Sequence, residues 1–483
     1  MLDLLSNYWP HVLAVLTTVL EVSACVHVAM TKRDVRSANA WVGVIILSPV
    51  VGALVYAVAG VNRMRRASYI AKRSRQRRRL NAALARHVVP QGVIEAQLGG
   101  RLEALRRLGD KVLLHPLSSG NHVVPLVTGD TAYEAMGHAI DAAKRSILLE
   151  TYIFDRDQIG QILADKLIAA HQRGVKVRVL IDAVGARYSV PSIVQYLEDG
   201  GVTVAAFNGK VIMGLRLPYA NLRTHRKILV VDGTMAFMGG MNIRDAFTGP
   251  HAAHDTHFRV TGPIVADLFS VAADDWHFET GEALEDGAWQ ITLLEETDDN
   301  AVSFARVVVT GPDSNLENNH KLLTGAFSVA KRSIRILSPY FLPDAVFLAA
   351  LATAARRGVA VEIIVPSKNN LAIVSYAMNG QFEQILKNGC RIFRSTGPFD
   401  HSKLLVVDGR WSFVGSSNLD SRSLRLNFEI DLEVYDPNFA GFVENRFAER
   451  LHDAQEVTLA ELQNQPFPLK LLQRVLWLGS PYL

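Results

Sequence analysis

The sequence predicts an α/β protein made of two similar halves that follow a membrane-embedded helical hairpin. Three features carry this prediction: an uncharged N-terminal stretch, an internal repeat of strand–helix–strand segments, and a β-hairpin pattern late in each copy. The chain has 483 residues, of which 49% are hydrophobic and 20% charged, and this composition excludes an intrinsically disordered protein. Its two cysteines can form neither a disulfide framework nor a CxxC metal pair.

Two apolar segments at the N-terminus predict a pair of membrane-spanning helices. The segment Trp41–Val61 holds 21 residues without a charge, enough to cross a hydrocarbon core of about 30 Å at about 1.5 Å per residue. The segment Trp9–Met30 is the second span, although three polar residues interrupt it: His11, Glu21 and His27. A cleaved signal peptide is disfavoured because Asp3 is the only charged residue among the first ten. We therefore expect a hairpin that stays in the mature protein.

A basic run follows the second apolar segment. Residues 63–79 contain nine Lys and Arg residues and no acid, whereas the rest of the chain carries more acids than bases. Only Lys32, Arg33 and Arg36 lie between the two spans, so the positive-inside rule places the downstream part in the cytoplasm. The run itself indicates either attraction to anionic lipid or a topology signal without lipid specificity. A nucleic-acid binder is disfavoured because the positive charge is confined to this one segment.

From about residue 110 the sequence repeats itself. Residues 143–147 and 330–334 both read Ala-Lys-Arg-Ser-Ile, and each continues into a strand-like segment containing a tyrosine, Tyr152 or Tyr340. A helical stretch and a second apolar strand follow, which is a βαβ pattern typical of a mixed sheet covered by helices. Two copies predict a pseudo-two-fold pair of domains with a site on their shared axis. We expect a hairpin over residues 1–62, a basic linker or helix over 63–109, and domains over 110–300 and 301–483.

Each copy also carries the pattern His-x-Lys, followed by four apolar residues and Asp-Gly. The residues are His225, Lys227 and Asp232 in the first copy and His401, Lys403 and Asp408 in the second. The apolar run before Asp-Gly predicts a β-hairpin. On a strand, residues two apart share a face, so each imidazole should lie beside an ammonium, an arrangement that suits a phosphate group. The two aspartates fit a turn role, which we favour, or direct chemistry.

Further polar residues recur at matching offsets. Asn242 and Asn418 close a Gly-x-x-Asn segment in each copy, and Asp255 and Glu429 follow their histidines by 30 and 28 residues. A carboxylate on the far imidazole nitrogen would fix the tautomer, as in a catalytic triad; the alternative is a solvated acid at a strand end. Paired His, Lys and Asn residues can stabilise a phosphoryl transition state, and no metal-ligand spacing is visible. We therefore predict no metal and no cofactor.

These motifs resemble the phospholipase D superfamily with its paired HKD motifs, and within it the bacterial cardiolipin synthases. The superfamily likeness covers roughly residues 110–450. The narrower likeness rests on four segments and their neighbours: Met30–Arg33, Thr224–Ile228, Gly239–Ile243, and Ser416–Asp420 with Leu426–Glu429. Two departures stand out. Ala253-His254 replace the family's usual Trp-Arg before Asp255, and Gly240 stands where the second copy has Ser416, so the two halves should differ in role.

The resemblance implies two phospholipase D-like αβα-sandwich repeats and a metal-free phosphatidyl transfer. One histidine attacks phosphatidylglycerol and forms a phosphatidyl-histidine while glycerol leaves; attack by a second phosphatidylglycerol then gives cardiolipin. By resemblance His225 is the nucleophile and His401 the general acid and base, with Lys227 and Lys403 holding the phosphate, although the near-symmetric sequence leaves the reverse assignment open. The implied location is the bacterial inner membrane, as a multi-pass protein with its catalytic domains in the cytoplasm. Homo-oligomer formation is left open.

Several alternatives remain at this point. A phospholipase D-type hydrolase or another phosphatidyl transferase would use the same motifs with a different acceptor. A nuclease is disfavoured by the hairpin and the acidic balance elsewhere, so we expect no nucleic-acid partner. A membrane scaffold with a decayed site conflicts with two complete motifs. The apolar segment Val211–Leu217 could border a lipid entrance, and Phe467–Leu483 resembles an interfacial amphipathic segment, but ordinary packing explains either equally well.

Overall fold

A computed structural model describes residues 2–32, 35–60, 84–208, 222–293, 303–312 and 315–480. The chain divides into two compact units, one containing the N-terminal helices and the other containing both repeats. The basic run at 63–79 and the segment Val211–Leu217, which the sequence suggested as a lipid entrance, lie outside the described residues.

The N-terminal unit consists of helix α1 (Leu2–Thr31), helix α2 (Val35–Leu47), helix α3 (Pro49–Val55) and one π-helical turn (Tyr56–Gly60). Within the described residues, Tyr8–Thr31 of α1 is the one helix long and apolar enough to cross a membrane. The second apolar segment is not the continuous helix that its composition predicted. Its backbone leaves the helical conformation at Ser48 (φ −149°, ψ 77°), and Pro49 after it has no N–H to bond the preceding turn.

The second unit contains thirteen α-helices among the described residues. The first seven are α4 (Val93–Leu98), α5 (Gly100–Val112), α6 (Gly129–Ala142), α7 (Gln158–Gln172), α8 (Ile193–Asp199), α9 (Ile264–Thr280) and α10 (Asn318–Val329). The other six are α11 (Ala345–Arg356), α12 (Ala372–Lys387), α13 (Ser421–Arg425), α14 (Pro437–His452), α15 (Leu459–Gln463) and α16 (Phe467–Leu478).

The described strands of this unit number eighteen. The first half has β1 (Ser118–Leu126), β2 (Ser146–Thr151), β3 (Lys176–Asp182), β4 (Thr203–Phe207), β5 (Arg223–Thr224), β6 (Ile228–Val231), β7 (Met235–Gly239) and β8 (His257–Thr261). The second half has β9 (Ser303–Thr310), β10 (Ser333–Leu337), β11 (Phe341–Leu342), β12 (Ala360–Pro366), β13 (Arg391–Ser395), β14 (Leu404–Val407), β15 (Trp411–Gly415), β16 (Leu419–Asp420), β17 (Asn427–Tyr435) and β18 (Ala454–Glu456).

Both repeats contribute to one sheet, which has sixteen strands among the described residues. Its order is β18-β13-β12-β10-β14-β15-β17-β9-β1-β8-β7-β6-β2-β3-β4, with β5 paired to β17. Read outward from the β9–β1 junction, the two halves have the same strand order, so a pseudo-two-fold axis passes through that junction. The βαβ units predicted from the repeat are present, because β2 pairs parallel with β3 and β10 pairs parallel with β12.

Helices cover both faces of this sheet. The strands are therefore buried on both sides, and β6, β14 and β17 have no exposed residue. On one face α9 and α14 share a core with both halves, while α6–α8 cover the other face of the first half. Helices α4 and α5 belong with the second half, since Leu102 and Leu105 pack with Leu322 and Leu323 of α10. The predicted boundary at residue 109 falls inside α5, because that helix continues to Val112.

The two Asp-Gly pairs form the predicted hairpin turns, between β6 and β7 and between β14 and β15. Asp232 and Asp408 have φ values of 52° and 55°, in the left-handed region that such turns require. Each carboxylate accepts three main-chain N–H groups at 2.7–3.0 Å, from residues 144–146 or 331–333. Both aspartates lie at the far end of their strand from the motif lysine. Of the two roles that the sequence left open, this geometry supports the turn role.

We expect Asp408→Asn to lower the free energy of unfolding by about 2 kcal/mol, because an amide loses one of the two charged oxygens that accept main-chain N–H groups. Thermal unfolding of the purified chain measures the change, and Asp232→Asn is the matched variant in the other repeat. The turnover of the folded fraction should stay within about threefold of the wild-type value. A loss of turnover comparable to that of a motif histidine variant, with unchanged stability, would contradict the turn role.

Candidate active site

Each motif histidine is anchored on the opposite half of the molecule. Strand β5, just before His225, pairs parallel with β17, and the main-chain N–H of His225 donates to Phe428 O at 2.8 Å. In the same way the N–H of His401 donates to His254 O at 2.7 Å. The segments that carry the two histidines therefore cross the junction between the repeats, where the pseudo-two-fold axis lies.

The carboxylate partners are also exchanged between the halves. Nδ1 of His225 lies 2.9 Å from Glu429 Oε2, and Nδ1 of His401 lies 2.8 Å from Asp255 Oδ2. The sequence predicted a carboxylate on each imidazole but gave no indication that each comes from the other repeat. When Nδ1 donates its hydrogen to a carboxylate, the Nε2 lone pair is available for nucleophilic attack or proton transfer.

The two carboxylates have different surroundings. Glu429 also accepts hydrogen bonds from Ser416 Oγ at 2.6 Å and from Asn427 Nδ2 at 3.2 Å, and burial raises its pKa to about 7. Burial acts on Asp255 too, but the hydrogen bond from His401 and the charge of Lys403 outweigh it and hold the pKa of Asp255 below its usual value. The two imidazoles therefore face carboxylates of unequal basicity.

Gly240 and Ser416 add a difference in hydrogen bonding, although the bond from Ser416 lowers the pKa of Glu429 and so narrows the difference in basicity. Ser416 supplies a hydroxyl donor to Glu429, whereas the equivalent Gly240 supplies none. A Cβ at Gly240 would lie 3.2 Å from both carboxylate oxygens of Asp255 and 3.1 Å from Lys403 Cδ. A side chain there would press on the Asp255–Lys403 pair, so the departure noticed in the sequence has a direct structural consequence.

The two lysines are buried beside the histidines. Lys227 Nζ donates to His225 O at 2.7 Å and Lys403 Nζ donates to His401 O at 2.5 Å, which leaves further N–H donors on each ammonium. Burial lowers the pKa of Lys227 to about 7 and that of Lys403 to about 8. It also lowers the pKa of His401 to about 4 and that of His225 well below its usual value. Lys403 of the second motif lies beside Gly240 of the first repeat, so groups of both motifs meet in one site.

The motif asparagines each lie three residues after the end of a hairpin strand, β7 or β15. Asn242 accepts the main-chain N–H of Ile153 through Oδ1 at 3.2 Å, which leaves its amide NH₂ as a donor. Asn418 is buried as well, and its Oδ1 has no hydrogen-bond partner among the described residues. In the described part of the chain, no group of three or more His, Cys, Asp or Glu side chains could hold a metal ion.

Sequence reasoning did not assign three residues that shape the site. The rings of Tyr152 and Tyr340 lie 5.2 and 6.4 Å from those of His225 and His401, measured between centroids. Their recurrence in each repeat was the available signal. Arg226, fully buried, pairs with Asp275 of α9 and donates through Nε to Glu429 O at 3.2 Å. Arg226 lies between β5 and β6, and a charge buried there needs a buried partner.

Comparison with known proteins agrees with this architecture. A family model described as cardiolipin synthase, PLD-like domain, matches residues 136–270 and 323–451, and one described as phospholipase D-nuclease N-terminal matches 19–60. A cardiolipin synthase of Alkalihalophilus pseudofirmus is 31% identical over 99% of this chain and 95% of its own length. Cardiolipin synthase A of Pseudomonas putida is 33% identical over 100% of both chains.

The structure has a solved relative as well. The phosphatidylserine synthase of Haemophilus influenzae matches 79% of this chain and 100% of its own with a TM-score of 0.59 and 17% identity, a likeness of fold alone. The chain belongs to the PLD-like cardiolipin synthase family, and the predicted α/β fold with two phospholipase D-like repeats is confirmed.

We expect kcat/KM to fall as the pH rises through about 7 to 8, because Lys227 and Lys403 lose their protons there in the free enzyme and no longer attract a phosphate anion. Toward acid pH, Glu429 gains a proton because its pKa lies at about 7, and a neutral carboxyl no longer stabilises positive charge on His225, so kcat/KM should also fall as the pH drops below about 7. Initial rates in mixed micelles at constant ionic strength measure both limbs. A value of kcat/KM that stays constant up to pH 9.5 would show that neither ammonium is needed for binding.

Proposed function

We propose that this chain makes cardiolipin from two molecules of phosphatidylglycerol, with release of glycerol, through a phosphatidyl-histidine intermediate. The observation that carries the proposal is the shared site, where two largely buried imidazoles, each held at Nδ1 by a carboxylate of the other repeat, lie with two buried ammonium groups. One Nε2 can attack a phosphodiester while the other handles protons. The full-length similarity to cardiolipin synthases supports the choice of substrate and product.

The first step breaks the bond between phosphorus and the headgroup glycerol. Nε2 of His225 attacks the phosphorus of phosphatidylglycerol, and the glycerol oxygen leaves with a proton from Nε2 of His401. Asp255, held in its ionised form, supports this choice, because an anionic carboxylate on Nδ1 stabilises the His401 imidazolium. A bound phosphodiester anion also raises the pKa of the imidazoles, since it favours every cationic form near it.

The second step reverses the roles around a new acceptor. His401, now neutral, takes the proton from a headgroup hydroxyl of a second phosphatidylglycerol, whose oxygen attacks the phosphorus and displaces His225. Lys227, Lys403 and the NH₂ groups of Asn242 and Asn418 are the groups we assign to the phosphoryl oxygens, where they offset the charge that develops in both transition states. Asp232 and Asp408 take no part, because they lie on the turns at the far ends of their strands.

The membrane context follows from the family and from the apolar helix Tyr8–Thr31. We further propose that the catalytic unit lies on the cytoplasmic side, as the excess of Lys and Arg after the second apolar segment supports.

Helix α16 supports a second contact with the bilayer. It packs on α12, where Gln473 lies against Gly380 and Arg474 pairs with Glu383 at 3.0 Å. Its outer side leaves apolar residues exposed at positions i, i+4, i+8 and i+11: Phe467, Leu471, Val475 and Leu478. One side of α16 therefore packs on α12, and the other side exposes a stripe of apolar residues. We propose that this stripe lies in the lipid interface, with Phe467–Leu483 as the interfacial segment.

The intermediate is tested with a phosphatidyl ester of p-nitrophenol, a leaving group that departs without a proton donor. In His401→Ala we expect a phosphatidyl adduct on His225 that persists, because no base activates the acceptor; in His225→Ala we expect none. Peptide mass spectrometry after acid-free quenching locates the adduct. An adduct on residue 401 in His225→Ala would reverse the assignment of the two histidines.

The same reconstituted enzyme, given phosphatidylglycerol alone, separates synthase from hydrolase. Cardiolipin and glycerol in equal amounts support the proposal, and each single histidine variant should lose about 10²–10⁴-fold in rate. Phosphatidic acid as the main product would favour a phospholipase D-type hydrolase, which is the alternative that the site chemistry also allows.

The interfacial stripe is tested by spin labels on cysteine variants in a Cys25→Ser, Cys390→Ala background. A label at Leu478→Cys should collide with dissolved oxygen more often than with an aqueous nickel chelate when the protein is in liposomes. The matched control is Ile162→Cys on α7, which is also exposed and apolar and should show the opposite preference. If the label at position 478 collided with the nickel chelate as often as the label at position 162, α16 would be exposed to water and the proposal would be wrong.

A further inference from the structure

An open cavity of about 410 Å³ lies at the turn between β14 and β15, on the second repeat. Its floor is apolar, formed by Leu98, Leu102, Val329 and Val407. Four basic side chains line it: Arg101, Lys331, Arg332 and Arg410. The only acid among the lining residues is Asp408. The cavity is separate from the active site, because the length of β14, roughly 15 Å at about 3.3 Å per residue, lies between Lys403 and Asp408.

The positive charge of this cavity is only partly balanced by described carboxylates, since Asp408 is the one acid among the lining residues and Glu95 lies beside Gly100. Both carboxylate oxygens of Asp408 are taken by main-chain N–H groups, and none of the four basic side chains forms an ion pair with a described carboxylate. Arg410 donates to Leu98 O at 3.2 Å and Arg101 to Val329 O at 3.5 Å, so one nitrogen of each guanidinium meets a carbonyl oxygen. Most of their donors remain available to a ligand.

The first repeat shows what the equivalent position looks like when protein fills it. There Arg145, the counterpart of Arg332, donates to Gln290 O and Thr292 Oγ1, both at 3.2 Å. Ser146 Oγ donates to Ala288 O at 2.7 Å, and a Cβ on Gly233 would lie 2.6 Å from Gln290 O. In the second repeat Arg332 donates to Asp408 O at 2.5 Å, and residues 98–102 line the space beside the turn without filling it. The space beside the hairpin turn is therefore filled in the first repeat and open in the second.

We propose that this cavity binds a phosphate ester, as the headgroup of an anionic phospholipid or as a free phosphate. Guanidinium groups offer paired N–H donors that match phosphate oxygens, and Lys331 adds a further charge. The apolar floor suits the glycerol and the first methylene groups of a lipid. Helix α5, which begins at Gly100 without a side-chain cap, borders the same space and presents its positive end there.

The binding is tested by lysine acetylation on the full chain in phosphatidylcholine nanodiscs, with Lys331 and its repeat counterpart Lys144 followed in the same sample. Both lysines are exposed, so they should react at similar rates without ligand. The probes are inorganic phosphate added to these discs, and discs that also contain phosphatidylglycerol. At a ligand concentration of about ten times Kd, the acetylation rate of Lys331 should fall about tenfold, because the unliganded fraction of the site is 1/(1 + [L]/Kd). The acetylation rate of Lys144 should stay constant.

Protection by inorganic phosphate identifies a site for phosphate as such, and protection only in discs with phosphatidylglycerol identifies a lipid headgroup site. The double variant Arg101→Gln, Arg410→Gln should abolish the protection of Lys331. The charge-matched control Arg107→Gln, Arg259→Gln changes two exposed arginines outside the cavity and should keep it. Equal behaviour of Lys331 and Lys144 with both probes, or protection that survives Arg101→Gln, Arg410→Gln, would overturn the proposal. Cardiolipin synthesis should be unchanged in both double variants, so this outcome is independent of the catalytic proposal.

Discussion

The exchange of carboxylates between the repeats is the constraint on which the site depends. Glu429 reaches His225 and Asp255 reaches His401 across the junction of the sheet, so neither repeat contains a complete catalytic group. Two main-chain hydrogen bonds, from His225 to Phe428 and from His401 to His254, also join one repeat to the other. Any change in the docking of the halves would therefore alter both imidazoles at once, which explains why β1 and β9 join the repeats into one continuous sheet.

Burial at this junction sets the charge states. Two ammonium groups, two imidazoles and two carboxylates share a largely buried space, so each cationic form is disfavoured until an anion arrives. A phosphodiester supplies that anion and restores the charges that bind it. The buried pair of Arg226 and Asp275 lies next to the first motif, and the charge of Arg226 is balanced by that carboxylate.

Duplication also explains where the two halves differ. At Gly240 and Ser416 one residue decides whether a carboxylate receives an extra hydroxyl donor, and hence how strongly it holds a positive imidazole. At the two hairpin turns, the segment 288–292 closes the first repeat while the second retains a basic cavity. The backbone around these differences is the same in both copies, since each Asp-Gly turn accepts three equivalent main-chain hydrogen bonds.

The sequence by itself determined the two repeats, the βαβ units, the hairpin turns and the identity of the motif residues, because period, spacing and turn chemistry are local properties of the chain. It predicted wrongly that residues 41–61 form one unbroken helix, since composition does not register the missing N–H of Pro49. Only the tertiary structure decided which carboxylate orients which histidine and where Arg226 finds its partner. Those pairings join residues about 50 to 200 positions apart, and such contacts are set by how the strands assemble rather than by any pattern within them.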